Sequence, residues 1–174
     1  YANGLDNEIV KLYYEKEERK SVSKGITFES DIDDILTLEK EFNKIASSVS
    51  FTLRKMKLQG SVISITLKDN MFISSSRQKK IEYTNSFDDI VKYTYELLNE
   101  HYTPSTKIRY ICVAVSNLKN ENESTQLDFF NMVEDVDTEA KNRKKEATNA
   151  LDKLKSIYGD KIDYASAIDI KNTD

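Results

Sequence analysis

The sequence predicts an α+β domain, in which two helices cover one face of a four-stranded sheet, followed by a C-terminal helix. In the segment 60–83, Ile63, Ile65 and Leu67 alternate with polar residues, as in a strand with one buried and one wet face. Two segments beginning at Ser30 and Ser86 carry apolar residues at three- and four-residue steps, which predicts amphipathic helices. Residues 107–118 are nearly all apolar, which predicts a strand with neighbours on both edges and helices on one face.

The predicted elements follow one another as strand, helix, strand, strand, helix, strand. The first strand covers residues 20–28, where Gly25 permits either a bulge or the close approach of a phosphate. The first helix is predicted to begin at Ser30, with Asp33 at capping-box spacing, and to end near Leu58. A turn at residues 68–70 joins the two central strands. Each half repeats the plan βαβ, which is typical of a ferredoxin-like architecture.

The second helix is predicted to begin at Ser86, with Asp89 again at capping-box spacing, and to end near Tyr102 and Pro104. His101 is predicted to be a C-terminal cap rather than a catalytic base. Helix 140–159 follows, and residues 161–174 are expected to be loosely ordered. Its predicted apolar stripe is Ala147, Ala150, Leu151, Leu154 and Tyr158.

The single cysteine, Cys112, excludes an intrachain disulfide and agrees with a reducing cytosol. One cysteine and one histidine cannot form a common structural zinc site. There is no apolar run long enough to span a bilayer, and no signal peptide is recognisable. Because the chain starts at Tyr1 without an initiator methionine, we expect a piece of a longer protein.

The charge is unevenly distributed along the chain. The formal net charge is −4, yet residues 51–82 hold seven basic and two acidic residues. A basic patch on an acidic body steers a polyanion to one face. The basic residues are Arg54, Lys55, Lys57, Lys68, Arg77, Lys79 and Lys80.

The run from Ser74 to Lys80 is open to two interpretations. Its hydroxyl and cationic side chains near one open sheet face suit a polyanion backbone. A solvated edge strand, where lysine discourages aggregation, explains the same composition.

No catalytic motif is present: the sequence lacks a P-loop, a nucleophile elbow and a zinc-protease signature. The carboxylate pairs at residues 33–34 and 88–89 fall in predicted first turns, where they favour the helix dipole. The residues alone therefore predict a binding module with one basic sheet face.

Four stretches in order resemble the little finger domain of Y-family (translesion) DNA polymerases, in the form found in Gram-positive bacteria. Residues 1–6 are similar to the end of that family's thumb, and residues 20–28 (KSVSKGITF) resemble its first strand. The hairpin 61–77 resembles its T-V-x-L-K-x…F-x-x-x-S-R run, and residues 108–118 resemble I-R-x-x-G-V-x-x-S-x-L. Cys112 stands where the family often has glycine, and Tyr110 and Ala114 stand where some members have arginines.

The resemblance implies a domain that grips primer–template DNA through its backbone. The positions that match the family's DNA contacts are Ser21, Ser23, Lys24, Ser74, Ser76, Arg77, Lys79 and Arg109. A second resemblance is to the QLxLF peptide that binds the bacterial sliding clamp, at Gln126, Leu127, Asp128, Phe129 and Phe130. The tail stretches LKSIYG and YASAI resemble the Gram-positive C-terminal extension.

The resemblance also implies a domain division. Residues 1–18 would be the end of the thumb and a linker, 19–119 the DNA-binding little finger, 120–131 a clamp-binding linker and 132–174 a helical tail. The parent would be a cytoplasmic DNA-directed DNA polymerase in DNA repair, with its catalytic carboxylates and divalent metal, Mg²⁺, in a palm domain. This piece would hold no cofactor and be inactive alone. The main alternative is a protein-interaction or regulatory domain of the same fold, and a metabolic enzyme has less support.

Overall fold

The computed structural model describes residues 19–104, 106–122 and 138–159, with residues 162 and 164. Four strands and three helices lie within these ranges. They are β1 (Ser21–Ile32), α1 (Ile35–Lys55), β2 (Leu58–Asp69), β3 (Ser74–Thr84), α2 (Phe87–His101), β4 (Ile108–Asn120) and α3 (Thr138–Tyr158).

The four strands form one sheet in the order β1-β4-β2-β3, and every neighbouring pair is antiparallel. The two βαβ halves are interleaved, because β4 lies between β1 and β2, and β2 lies between β4 and β3. The predicted α+β fold is thus confirmed, including the central position of β4.

The core lies between one sheet face and the first two helices. The apolar side chains of the predicted alternation are buried, and so are the stripes of α1 and α2. The main members are Ile63, Ile65, Leu67, Ile111, Val113, Val115, Leu38, Phe42, Val49, Leu53, Ile90 and Leu98. This burial fixes the register, because a slip of one residue would turn each strand's apolar side chains toward water.

The start of α1 differs from the prediction. Ser30 belongs to β1, and Asp34 is the N-cap residue of a helix that begins at Ile35. The Asp34 carboxylate accepts hydrogen bonds from the Thr37 backbone N–H (2.9 Å) and hydroxyl (2.6 Å), and these bonds lower its pKa. A carboxylate that satisfies the first free N–H groups of the helix outcompetes the serine four residues earlier.

α2 spans nearly the predicted residues, but the hydrogen bonds at its two ends differ from the predicted capping. Ser86 occupies the N-cap position without a side-chain cap bond, while Thr84 donates to Asp89 at 2.6 Å. His101 is not a cap: its Nε2 is 2.9 Å from the Ser75 hydroxyl on β3. The last-turn carbonyl of Leu98 accepts from the Tyr102 backbone N–H instead.

The irregularity in β1 is not at Gly25. The β1–β4 register is continuous from Ser21 to Thr27 and shifts between Thr27 and Ile32. A Cβ on Gly25 would lie 2.7 Å from the ring carbon Cζ of Tyr110. The absence of a side chain at Gly25 therefore leaves room for that ring.

α3 packs against α1 through a polar face. The Arg54 guanidinium donates to Asp152 from Nε (2.6 Å) and Nη2 (2.8 Å), and Lys155 donates to the Ser47 hydroxyl at 2.8 Å. Leu151 is half-buried, but the other four members of the predicted stripe are exposed. The prediction for α3 was wrong because partly buried Arg54 needs a carboxylate partner, and the helix turns Asp152 toward it.

Three predictions lie outside the described residues: the thumb-like segment 1–18, the clamp-like peptide 126–130 and most of the final segment. Of that final segment, Tyr164 is described, and its ring stacks on Phe87 with centroids 3.9 Å apart. In the described part of the chain, every helix is too short or too polar to cross a membrane.

Candidate nucleic-acid interface

The sheet face opposite the helices presents a regular grid of small polar side chains. Because partners in a ladder share a face, the registers place four positions from each strand on this surface, which we call the open face. Its four rows are Ser21–Ser116–Val62–Lys80, Ser23–Ala114–Ser64–Gln78, Gly25–Cys112–Thr66–Ser76 and Thr27–Tyr110–Lys68–Ser74.

The open face contains no carboxylate among these sixteen positions. In the whole chain 30 of 174 residues are acidic, so sixteen random positions would hold about three. Half of the sixteen are serine or threonine, and two, Lys68 and Lys80, are cationic. Short hydroxyl side chains suit phosphate oxygens, which accept hydrogen bonds without base specificity.

Tyr110 is the largest side chain on the open face. Its hydroxyl end lies over Gly25, and the Lys68 ammonium is 5.8 Å from its ring centroid. A hydrogen bond with the Cys112 thiol, together with burial, raises the pKa of the Tyr110 hydroxyl. Tyr110 therefore keeps its proton at neutral pH and does not add negative charge to this face.

The structure divides the predicted DNA-contact residues between the two faces. Ser21, Ser23, Ser74 and Ser76 lie on the open face, as the prediction requires. The expectation that the cationic residues share this face was wrong. Lys24 pairs with Val113, Arg77 with Ile65 and Lys79 with Ile63, and each of these partners faces the helices.

Cationic side chains can lie on the helix-facing side of this sheet because they belong to its edge strands. β1 and β3 are the outer strands, so Lys24 and Arg77 remain exposed at the two edges of the sheet. Lys79 instead pairs with Glu96 of α2 at 2.7 Å, and this hydrogen bond raises the pKa of Lys79. Arg109 donates to the Glu29 carbonyl at 3.0 Å and lies 3.4 Å from Asp31, so it serves the irregular end of β1.

The predicted basic patch of residues 51–82 is not one surface. Arg54 faces α3, where burial lowers its pKa but the bonds and charge of Asp152 raise it overall. Of the seven cations, Lys68 and Lys80 reach the open face. The density of basic residues in the sequence overestimated how many cations share one surface, because strand alternation places neighbouring side chains on opposite faces.

Several open-face positions were missed as site residues. Ser64 and Thr66 alternate with buried isoleucines in β2, and Ser116 follows the buried Val115 in β4. This alternation was readable in the sequence and marks these side chains as facing away from the helices. Lys80 carried the same signal, because it directly precedes Ile81, which packs against the core, and alternation places the two side chains on opposite faces.

An antiparallel sheet with helices on one side and a hydroxyl-rich open face defines an α+β class of domain that can serve several functions, and a family comparison specifies it further. Residues 19–129 match the C-terminal domain of the impB/mucB/samB family. The chain belongs to this family, the C-terminal (little finger) domain of Y-family DNA polymerases, as the sequence resemblance indicated.

The similar full-length proteins are DNA polymerase IV enzymes. The chain is 30% identical to DNA polymerase IV of Clostridium kluyveri over 164 residues, covering 93% of this chain and 40% of the relative. It is 30% identical to that of Alkaliphilus oremlandii over 171 residues, covering 97% of this chain and 43% of the relative. The chain thus spans less than half the length of these relatives.

Among solved structures, the chain is similar to the insertion ternary complex of Dbh DNA polymerase. The TM-score is 0.51 at 17% sequence identity, covering 57% of this chain and 29% of that one. At this identity the likeness concerns the fold.

Proposed function

We propose that the open face binds the backbone of primer–template DNA on behalf of a translesion DNA polymerase. The observation that carries the proposal is the carboxylate-free grid on a chain whose net charge is −4. Binding through hydroxyls and a few lysines gives little sequence preference, as a polymerase that moves along DNA requires. Family membership supports the same role.

The predicted contact residues contribute unequally in this proposal. Ser21, Ser23, Ser74 and Ser76 meet phosphates directly from the face, beside Lys68 and Lys80. Lys24 and Arg77 reach flanking phosphates from the two exposed edges, since long cationic side chains can extend past a sheet edge. Lys79 and Arg109 contribute less, because each must leave a carboxylate partner to reach DNA.

The test is fluorescence anisotropy of a labelled primer–template duplex at several salt concentrations. Affinity should fall linearly on a log–log plot with salt, because phosphate contacts release counterions. The double variant Lys68→Glu, Lys80→Glu should bind at least about tenfold more weakly, with a shallower salt slope. The matched control is Lys40→Glu, Lys55→Glu, which makes the same charge change on exposed positions of α1. Equal losses in both double variants would refute an interface at the open face.

We propose further that residues 126–130 bind the sliding clamp. The support is the sequence: Leu127, Phe129 and Phe130 can fill apolar pockets while the Gln126 amide bonds to backbone groups. The double variant Leu127→Ala, Phe129→Ala should lose clamp binding in a pull-down with purified clamp. The matched control is Leu154→Ala, Ile157→Ala, which removes two exposed apolar side chains of α3, and an undiminished interaction of the Leu127, Phe129 double variant would exclude this peptide.

The parent protein, in this proposal, is a cytoplasmic DNA-directed DNA polymerase acting in lesion bypass. We assign the catalytic carboxylates and Mg²⁺ to a part of that parent outside this chain, which covers 40% of the Clostridium kluyveri relative. The piece described here should therefore extend no primer in a polymerase assay. Primer extension by the purified chain would overturn this division of roles.

A further inference from the structure

We propose that the tip of the β2–β3 hairpin contacts unstacked nucleobases of a single strand adjoining the bound duplex. The tip comprises Met71, Phe72 and Ile73, between the end of β2 and the start of β3. The inference rests on the proposed function, since it assigns a second surface to the same DNA substrate.

The tip is conspicuously apolar for a turn. Met71, Phe72 and Ile73 are 75%, 71% and 63% exposed, and they follow one another directly. Tight turns are normally built from glycine, asparagine, aspartate and serine, which suit the backbone geometry and water. Three consecutive large apolar side chains in this position are explained by a contact with another molecule better than by the turn itself.

A dense set of hydrogen bonds fixes the tip. Asp69 Oδ1 accepts from the backbone N–H groups of Met71 and Ile73, both at 2.9 Å. The Asp69 and Ile73 backbones bond at 3.1 Å, and the Phe72 N–H donates to the Asp69 carbonyl at 3.1 Å. The tip is therefore arranged in advance, which lowers the entropic cost of binding through it.

Phe72 has a backbone conformation that a side chain disfavours. Its φ is 63°, in the left-handed region where glycine is the usual residue. A phenylalanine at a position where glycine would fit better indicates that the ring, rather than the backbone, is the reason for this residue.

The position of the tip and the charges near it indicate which kind of molecule it contacts. The tip directly extends the open-face row that contains Tyr110, Lys68 and Ser74, and the Asn70 N–H donates to the carbonyl of Lys107 at 3.0 Å. An aromatic ring beside lysines is the combination that binds single-stranded nucleic acid: the ring stacks on bases and the ammonium groups meet phosphates. Continuity with a carboxylate-free face favours DNA over a protein or membrane partner.

The experiment compares two labelled DNA probes, a blunt duplex and the same duplex with a single-stranded 5′ overhang. The variant Phe72→Gly removes the ring and fits the left-handed backbone, so its Tm should be no lower than that of the unsubstituted chain. It should lose about five- to tenfold in affinity for the overhang probe and keep its affinity for the blunt duplex. Phe72→Trp should retain the overhang affinity, and Ile157→Ala, at an exposed apolar position on α3, is the matched control.

The two proposals fail in different ways. If the unsubstituted chain does not bind the blunt duplex even at low salt, the proposed function fails. If it binds the blunt duplex and Phe72→Gly leaves overhang affinity intact, the tip proposal is overturned while the open face survives. Loss of binding to phosphatidylserine vesicles in Phe72→Gly, with DNA affinity intact, would assign the tip to a membrane surface and equally overturn the proposal.

Discussion

Thr94 offers the most direct test of the packing between the sheet and the helices. It lies on the apolar stripe of α2 with no solvent exposure, and its hydroxyl has no hydrogen-bond partner among the described residues. A buried hydroxyl without a partner costs about 1–3 kcal/mol relative to a satisfied one. Thr94→Val replaces the hydroxyl with a methyl group of similar size and a similar helix propensity.

We expect Thr94→Val to raise the free energy of unfolding by roughly 1–2 kcal/mol, measured by urea denaturation. In a chain of this length each kcal/mol corresponds to about 2–4 °C in Tm. Thr52→Val is the matched control, because the Thr52 hydroxyl donates to the Ser48 carbonyl at 2.8 Å. That variant should be neutral or destabilised.

A Thr94→Val variant with unchanged or lower stability would refute the reasoning. It would mean that in solution the hydroxyl finds a helix carbonyl, as threonines in helices often do. Equal gains in both valine variants would show instead that the methyl group, not the missing hydrogen bond, is responsible.

Three further perturbations probe separate contacts. Gly25→Ala should lower stability by about 1 kcal/mol, seen as a lower Tm, because the new Cβ displaces the Tyr110 ring. Asp152→Asn should weaken the bidentate bond to Arg54, at a cost of about 1–3 kcal/mol, and speed amide exchange in α3 more than in the sheet. His101→Gln should reduce the loss of stability between pH 7.5 and 5.5, because burial, and then the charge of Arg77, lower the pKa of His101 from its ordinary value of 6.5. The unfolded chain then binds the proton more readily than the folded one, so stability falls as pH drops below that value.

Each of these predictions has its own control. Gly25→Ala should cost nothing extra in a Tyr110→Ala background, and an undiminished cost there would place the clash elsewhere. For Asp152→Asn, the same carboxylate-to-amide change at exposed Glu146 should leave exchange in α3 unchanged. An unaltered pH profile in His101→Gln would show that another group titrates in that range.

The sequence predicted the parts of the fold in which burial requires apolar residues at a regular spacing. The alternation of Ile63, Ile65 and Leu67 set the faces of β2, and the stripe from Leu38 to Leu53 set α1, because these patterns serve one shared core. The N-cap of α1 was misplaced because serine and aspartate both cap helices, and four candidate caps lie within five residues.

The site was harder to predict than the fold. Residues 74–80 are polar throughout, so they carry no apolar pattern of their own. The register with β2 and the alternation from Ile81 place Arg77 on the helix side. Likewise Arg54 gave no sign in the sequence of its partner, since Asp152 is 98 residues away. Apolar burial leaves a local pattern, whereas a pairing between distant charges depends on the finished tertiary structure.

The interleaved strand order has a consequence for how the chain acquires its structure. β1 pairs with β4 alone, so Ser21 at the start of the sheet meets Ser116 near its end. A nascent chain on the ribosome therefore cannot give β1 a partner, or close the core beneath α1, until β4 has been synthesised. Contacts of such sequence separation fold slowly and cooperatively. A chain truncated before β4 should therefore be unfolded and prone to aggregation, rather than form a smaller stable half-domain.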